Sequence, residues 1–508
     1  MRTRSPGSGA NTSSMKPRSS NCPGIMGTVA VARRWLYCIG YPSRGTGGSV
    51  TGGQDTLRQF IRKHKLDAVS VTVPDLHGIA RGKKVPARRI LEGDASPMRM
   101  SNLMVMLDYA GMPHPPPEND DRWWPSWSEG YADTRMVVDP RTARVVPWQP
   151  GTGLVVGDFE HVDGRGILEY LPRATLTRLV QRLADLGLES RAAIEMEFML
   201  FDETHGSVAE KGYRDLVPLW RTPQAYRLTT LGVHDELLSG MSRALDEFGL
   251  PVETWNVEAG PGQVEINLAP APALEAADHG FLFKHGVKEL AATRDVYASF
   301  ISKLSSDGFG NGTHLNFSLW RDGENAFHSP DSETGMSPLM RHFVAGMVRT
   351  LPDFTLMYAP TVNSYRRFVP HFSTGMMLSW GLDNKSNAIR CVTESPSLTR
   401  LEQRTAGGDV NPYLLLAACI GAGLHGIDNE LEPPPPTESD AYADASLGRV
   451  PETIDEAVER FERSEVVNAV LGEDFVRFYA HSRRIESQCF AAAMEGLDDE
   501  GVSDWELA

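Results

Sequence analysis

The chain has 508 residues, 41% hydrophobic and 23% charged, a globular balance that excludes collagen-like, disordered and disulfide-scaffold classes. Its net charge is −16, and because residues 1–54 hold seven basic residues and no acid, residues 55–508 carry 43 basic against 66 acidic residues. A body this acidic argues against nucleic-acid binding, but it leaves ATP open, since magnesium can bring phosphates to carboxylates. At roughly 150 residues per domain, the length allows two or three domains. No apolar run is long enough to predict a transmembrane helix. The cysteines, at 22, 38, 391, 419 and 489, form no CxxC or zinc-ligand pair, which points to a reducing, cytoplasmic compartment. Cys419, inside LLLAACIGAG, reads as a buried small hydrophobe.

Residues 1–54 are rich in Ser, Gly, Arg and Thr and lack periodicity. A start placed too far upstream, an Arg-rich transit peptide and a disordered tail all fit them. From residue 55, TLRQFIRKHKL predicts a short amphipathic helix, DAVSVTVPD a strand, and LHGIARGKKVP a turn into a second strand. Residues 136–158 predict strand, turn, strand, turn, strand, with PRTAR and PGTG as the turns. Residues 55–160 therefore read as a small mixed sheet with one or two helices. The Pro/Trp-rich stretch 112–130 reads as a long loop.

From 161 onward, PRATLTRLVQRLADLGL predicts a helix and ESRAAIEMEFMLFD a strand. Next come a helix over YRLTTLGVHDELLSGMSRALDEFG, strand-like VETWNVEAGPGQVEINLAP, a helix over AADHGFLFKHGVKELAATRDVY, and the strand ASFISKL. Residues 433–449 read as a loop, and the chain as helical from about 451. Neither a GxxxxGK[ST] nor a GxGxxG follows a strand.

Four constellations carry chemistry. In the strand containing Glu195 and Glu197, residues two apart share a face, so both carboxylates point together while Ile194, Met196 and Phe198 face a core. Paired carboxylates on a mostly buried strand resist ionising unless a cation lies between them; a solvated acidic edge is the alternative. Glu253, Glu258 and Glu265 flank the Gly260-Pro261-Gly262 turn. Arg400, Glu402 and Arg404 share a strand face, as an ion-pair ladder or as an anion site holding a metal-binding Glu. The glycine loop DGFGNGTHLNFSLW leads into a strand that puts His314, Asn316 and Ser318 on one face. Carboxylates with one His suit magnesium or manganese rather than zinc. The cations Arg367, Lys385, Arg390, Arg400 and Arg404 suit a polyphosphate bridged by such metals.

These segments, in this order, resemble the glutamine synthetase family from about residue 60 to the C-terminus. IEMEFMLFD is similar to its E-x-E-F-F-L-F-D strand, and EAGPGQVEI to the segment after its paired His. GNGTHLNFSLW, NSYRRFVP, WGLDNKSNAIR and RLEQRTAGGDVNPYLLLAACIGAGLHGI are similar to its glycine loop, its Arg-rich segments and its N-P-Y-L helix, with Asn411 as N-cap and Pro412 at the first helical position. The resemblance implies an α+β protein: a β-grasp domain at 55–160, then a catalytic domain at 161–508 built on a curved antiparallel sheet with flanking helices. It implies a homo-oligomer, a double ring with active sites between neighbouring subunits. It also implies ATP and two or three Mg²⁺ (or Mn²⁺) ions per site, with one metal on Glu197, Glu258 and Glu265 and another on Glu195, His314 and Glu402. Glu253, Asn316, Ser318, Lys385 and Arg390 match nucleotide-contacting positions. Gly310, His314, Arg367 and Arg404 match positions that hold glutamate or its γ-phosphate.

The departures fall on the ammonium site. Where ammonia-using members carry a Glu that closes the site and accepts a proton, the segment Pro370-His371-Phe372-Ser373 places Ser373. Asn256-Val257, beside Trp255, replaces the paired His. Lys385 stands where the family has Arg, Asp108 is the one candidate for an ammonium-site acid in the small domain, and Tyr442 is a poor match to the regulatory tyrosine. S-W-G-x-D-N-x-S and the C-terminal V-S-D-W-E resemble the branch that makes γ-glutamyl amides from organic amines. The expected function is therefore an ATP-dependent ligase joining the γ-carboxyl of L-glutamate to an organic amine through γ-glutamyl phosphate, with Trp255 and Trp380 as apolar walls. A glutamine synthetase using ammonia and a catalytically dead scaffold or nitrogen sensor are the rival readings.

Overall fold

A computed structural model describes residues 50–93, 98–115, 130–161, 163–164, 166–305, 308–372 and 374–494, with the side chains of 50–55 excepted. The expectations for residues 1–49, for most of the 112–130 loop, for Ser373 and for V-S-D-W-E lie outside these residues. The described residues from 53 onward form one compact unit.

The first sheet holds β1 (Ala68–Pro74), β2 (Ala80–Pro86), β3 (Arg99–Ser101), β4 (Asp133–Val138), β5 (Arg144–Val145) and β6 (Thr152–Phe159), in the order β2-β1-β6-β4-β3 with β5 on β6. β1 and β6 run parallel and the remaining pairs antiparallel, so the sheet is mixed, as its sequence predicts. The helix Val50–His64 precedes it.

The second sheet is curled and ten-stranded. It is made of β7 (Glu189–Phe201), β8 (Val252–Val257), β9 (Gln263–Leu268), β10 (Ala271–Pro272), β11 (Tyr297–Ser299), β12 (Thr313–Arg321), β13 (Glu324–Asn325), β14 (Trp380–Leu382), β15 (Ile389–Val392) and β16 (Arg400–Gln403). The path is β14-β15-β16-β12-β7-β9-β8. It is antiparallel except for the parallel pair β14–β15, a departure from the all-antiparallel expectation. On β7, Ile194, Met196 and Phe198 are buried, and Phe198 meets Phe283 of the Ala273–Ala292 helix at 5.9 Å between ring centroids. Alternation then turns Glu195 and Glu197 to the opposite face.

Behind this sheet lie the apolar helices Pro338–Tyr358 and Pro412–Asp428. They cross closely: a Cβ on Gly346 would stand 2.2 Å from the Ala422 carbonyl oxygen, and one on Gly426 2.0 Å from that of His342. Asn411 caps its helix by accepting the Tyr413 N–H at 3.0 Å, with Pro412 in the first turn. Its amide also donates to the Asp75 and Leu76 carbonyls, at 3.1 Å each, which ties the turn after β1 to the central helix. The region expected as one helix over 226–249 is two, Leu228–Val233 and Asp235–Glu247, because His234 at the junction leaves helical geometry.

A second tie is ionic. Arg173, buried at the start of the Pro172–Asp185 helix, donates to Asp278 (2.9 Å), Asp158 (2.7 Å) and Asp139 (2.9 Å). Tyr413 donates to Asp278 at 2.6 Å. Burial works against the Asp139 charge, but its hydrogen bonds from Arg141 and Arg173 outweigh this and bring the carboxyl down to about 2. One guanidinium thus holds the first sheet, the Ala273–Ala292 helix and its own helix together. Arg173→Met leaves the buried Asp158 and Asp278 without their cation and Asp139 with Arg141 alone, and should cost roughly 3–5 kcal/mol of stability. A denaturation midpoint equal to that of the wild type would show that this cluster does not hold the elements together.

Candidate active site

The sheet register decides which carboxylates meet. His314 on β12 lies opposite Glu195 on β7. Glu197 lies opposite Glu265 on β9. Glu402 on β16 pairs with Asn316 on β12 and Arg390 on β15. The glycine loop before β12 closes over the same face. A Cβ on Gly312 would stand 3.0 Å from Arg367 Nη2, 3.2 Å from His314 Nε2 and 3.6 Å from Glu197 Oε1. The same atom on Gly310 would stand 2.6 Å from the Ser302 carbonyl oxygen and 3.0 Å from Arg367 Cγ. Close approach of backbone requires glycine at 310, and at 312 a side chain would crowd the ends of Arg367 and His314; Arg367, His314 and Glu197 converge between the two positions.

Every carboxylate in the group is held. Glu195 accepts from Asn316 at 2.7 Å and lies 3.5 Å from His314 Nδ1. Glu197 accepts from the Gly312 N–H (2.7 Å) and from Gln263 (3.0 Å), whose amide also bonds the Gly310 carbonyl. Glu258 accepts from Asn256 at 2.8 Å, so the residue that replaces a family His orients this Glu instead. Glu265 accepts from Asn267 at 3.2 Å. Glu402 is 2% exposed and bonds Arg390 (2.9 Å) and Arg404, with His314 Nδ1 at 3.6 Å. Arg367 is 3% exposed and donates to the carbonyls of Thr405 and Arg404, at 2.8 and 3.3 Å.

These environments split the titration of the cluster. Burial and the repulsion of Glu197, Glu195 and Glu258 push Glu265 up to about 8. Burial also raises Glu197. Burial opposes the Glu195 charge too, but the His314 hydrogen bond and charge, with Asn316 and Arg404, bring it down to about 2. Glu402 is lowered despite its burial, by His314 and Arg404. An uncompensated negative field thus remains around Glu197 and Glu265, which is where a divalent cation would lower the energy most. Donor atoms of Glu195, Glu265 and His314 lie within 4.8 Å of one another. The donor set of carboxylates and one imidazole fits Mg²⁺ or Mn²⁺.

The structure therefore brings together Glu195, Glu197, Glu258, Glu265, His314, Glu402, Gly310, Arg367, Arg390, Arg404 and Asn316, with Arg400 donating to Asn316 at 2.8 Å. Ser318 is buried on β12 and accepts the Trp320 indole N–H at 2.9 Å. Four expectations are placed differently. Glu253 is the extra residue of a bulge in β8 and is exposed. Lys385 is exposed on the turn between β14 and β15. Asp108 is buried in a turn where its carboxylate accepts the Met112 N–H at 2.7 Å, and among the described residues no hydrogen bond or ion pair ties it to the glutamate cluster within the chain. Trp380 is buried with its indole donating to the Pro434 carbonyl at 2.7 Å, so it offers no open wall, whereas Trp255 is 36% exposed on β8.

Two residues at the site carry no sequence signal of their own. Tyr226 sits in the left-handed region (φ 55°), 66% exposed, with its phenol hydrogen-bonded to Glu258. Tyr442, half-buried, donates to the Thr374 carbonyl at 3.0 Å and packs on His371. Both depend on loop paths that no periodicity encodes.

With this geometry the family is defined: the chain belongs to the glutamine synthetase family, whose catalytic domain it matches over residues 169–502, and it is an enzyme of the ligase type. Among its relatives, a γ-glutamylethanolamide synthetase of Streptomyces coelicolor is 36% identical over 457 residues, covering 90% of this chain and 95% of that protein. A glutamate–isopropylamine ligase of a Pseudomonas species is 32% identical over 456 residues, covering 89% and 96%. The solved structure of a GmaS–ADP complex superimposes with a TM-score of 0.74 at 26% identity, over 86% of this chain and 96% of that one. Among the described residues, no helix is long and apolar enough to cross a membrane.

The raised Glu265 and Glu197 carboxyls give a pH signature. In the unfolded chain a Glu titrates at about 4.3, while folded Glu265 holds its proton to about 8. The folded state then binds more protons than the unfolded one across that window, so stability falls as pH rises through it. Metal-free protein should lose thermal midpoint between about pH 5 and 8, and Mg²⁺ should restore more at pH 8 than at pH 5, because protons compete with the ion. Glu265→Gln should flatten both trends. An equal Mg²⁺ effect at the two pH values would remove Glu265 from the metal-binding set.

Proposed function

We propose that this protein is an ATP-dependent glutamate–amine ligase that joins the γ-carboxyl of L-glutamate to an organic amine and releases ADP and phosphate. One observation carries the reading: five glutamates and His314 converge with the buried Arg367 and Arg404 on one face of the curled sheet. Support for the amine comes from the names of the two relatives, an ethanolamide synthetase and an isopropylamine ligase.

On this reading Glu197, Glu258 and Glu265 hold one Mg²⁺ or Mn²⁺, and Glu195, His314 and Glu402 hold another. When bound, such ions neutralise charge shared between the ATP phosphates and the glutamate γ-carboxylate. The γ-carboxylate attacks the γ-phosphoryl group to give γ-glutamyl phosphate. The amine nitrogen then attacks the acyl carbon, phosphate leaves and the nitrogen loses a proton. Arg367 is aimed by its own hydrogen bonds to the Thr405 and Arg404 carbonyls, so its charge is preorganised for the transferring group. Arg404, held against Glu402, completes that pair. Asn316, Ser318 and Arg390 line the nucleotide side, with the exposed Glu253 and Lys385 reaching the nucleotide from outside the cluster, and Gly310 borders glutamate. Residues 55–160 form the β-grasp domain and 161–508 the catalytic domain of a cytoplasmic, ring-shaped homo-oligomer. In that ring the Asp108 turn of a neighbouring copy borders the amine side, and the Asp108 carboxylate is the base that takes the proton.

The test is kcat/KM for ammonium against ethanolamine, isopropylamine, putrescine and aniline, read as ADP release under saturating ATP, Mg²⁺ and glutamate. At least one organic amine should exceed ammonium by roughly tenfold or more, the value of burying two or three methylenes. If ammonium wins over the panel, the enzyme is a glutamine synthetase. Glu402→Gln should lower turnover more than about 100-fold, a typical loss for one preorganised charged group. Wild-type turnover in that variant would leave Glu402 as an ion-pair residue for Arg390 and Arg404.

A further inference from the structure

Two loops border Arg367, and each presents an aromatic ring at the same place. Phe309 precedes Gly310, whose backbone packs on the Arg367 side chain. Phe372 follows Arg367 by five residues. Their ring centroids lie 5.3 Å apart at 60°, an edge-to-face arrangement. Lys303 braces the pair: it is 1% exposed, its ammonium lies 4.7 Å from the Phe372 centroid, and it donates to the Gly308 carbonyl beside Phe309. Phe309 nevertheless stays 39% exposed. It is a ring fixed on one side and bare on the other, one residue from the backbone that lines the phosphoryl-handling arginine.

We propose that the Phe309–Phe372 pair is the apolar wall against which the carbon body of the amine lies, and that it makes the enzyme selective for monoamines with an alkyl or aryl body over polyamines. This rests on the ligase reading above. The argument is one of geometry and charge. An amine that attacks an acyl phosphate near Arg367 points its nitrogen inward, so its carbons trail outward over the rim. There the rings offer contact surface, at about 0.8 kcal/mol per buried CH₂. The described residues of the two loops, 308–312 and 366–372, contain no acid. Instead they carry His371 and the buried Arg367, with Lys303 beneath, and Asp440 lies 3.6 Å from His371 Nδ1; the Arg366 guanidinium lies over Phe490, 6.0 Å from its ring centroid. A second ammonium on the substrate would face net positive charge, whereas a methyl group or an aryl ring would face carbon.

The experiment measures kcat/KM for n-butylamine, methylamine and putrescine in wild type, Phe309→Ala, Phe309→Leu and Phe372→Ala, with saturating ATP, Mg²⁺ and glutamate. Wild type should prefer butylamine to putrescine by roughly tenfold. In Phe309→Ala and Phe372→Ala the butylamine-to-methylamine ratio should fall roughly tenfold, while Phe309→Leu, which restores apolar contact, keeps most of it. A ratio unchanged in both alanine variants, with butylamine and methylamine falling together, overturns the wall. Preference of the wild type for putrescine overturns the selectivity. A wild type that favours ammonium over every amine overturns the ligase reading itself, and that result appears before any variant is examined.

Discussion

Like charges placed side by side govern this structure. Strand alternation puts Glu195 and Glu197 on one face, and antiparallel pairing then sets Glu265 opposite Glu197 and Asn267 opposite Glu195. Without compensation such a face would split the sheet or protonate. The fold answers unequally. His314, Asn316, Arg390 and Arg404 surround Glu195 and Glu402 and keep both ionised. Among the described residues, Glu197 and Glu265 accept only from backbone and amide donors, and their carboxyls rise. One half of the cluster is neutralised by the chain's own cations; on the proposed reading a divalent ion would neutralise the other half.

Holding such a face in place takes rigid support. The apolar side of β7 packs on the Ala273–Ala292 helix, and that helix is locked through Asp278 to Arg173 and Tyr413. Asn411 joins the turn after β1 to the central helix. The tight crossing at Gly346 and Gly426 leaves that helix pair no room to shift, since any added Cβ would meet backbone. Charge at the front of the sheet and close packing behind it are thus parts of one arrangement.

Much of this was legible in the sequence, and the reasons are specific. The period of two in IEMEFMLFD predicts the shared face of Glu195 and Glu197 because a strand admits only that alternation. Asn411-Pro412 predicts a helix start because the cap geometry is local. What stayed hidden depends on distant pairing. Spacing alone does not say that His314 would lie opposite Glu195 rather than Glu197, since a two-residue shift of register keeps the face and exchanges them. The bulge in β8 that turns Glu253 to solvent leaves no mark in ETWNVE, and neither do the left-handed residue at Tyr226 or the meeting of Phe309 and Phe372 across sixty-odd residues. The burial of Trp380 is hidden for the same reason, because an indole in a polar segment reads as an open wall until a carbonyl such as that of Pro434 receives its N–H.

On the proposed reading, this face of the sheet holds divalent cations beside two arginines. Anomalous diffraction from crystals of the full chain grown with saturating Mn²⁺ and ADP tests it directly. The account predicts manganese peaks within coordination distance of Glu197, Glu258 and Glu265 and of Glu195, His314 and Glu402. Crystals with manganese elsewhere and none at these glutamates, at a pH where they are ionised, would contradict it.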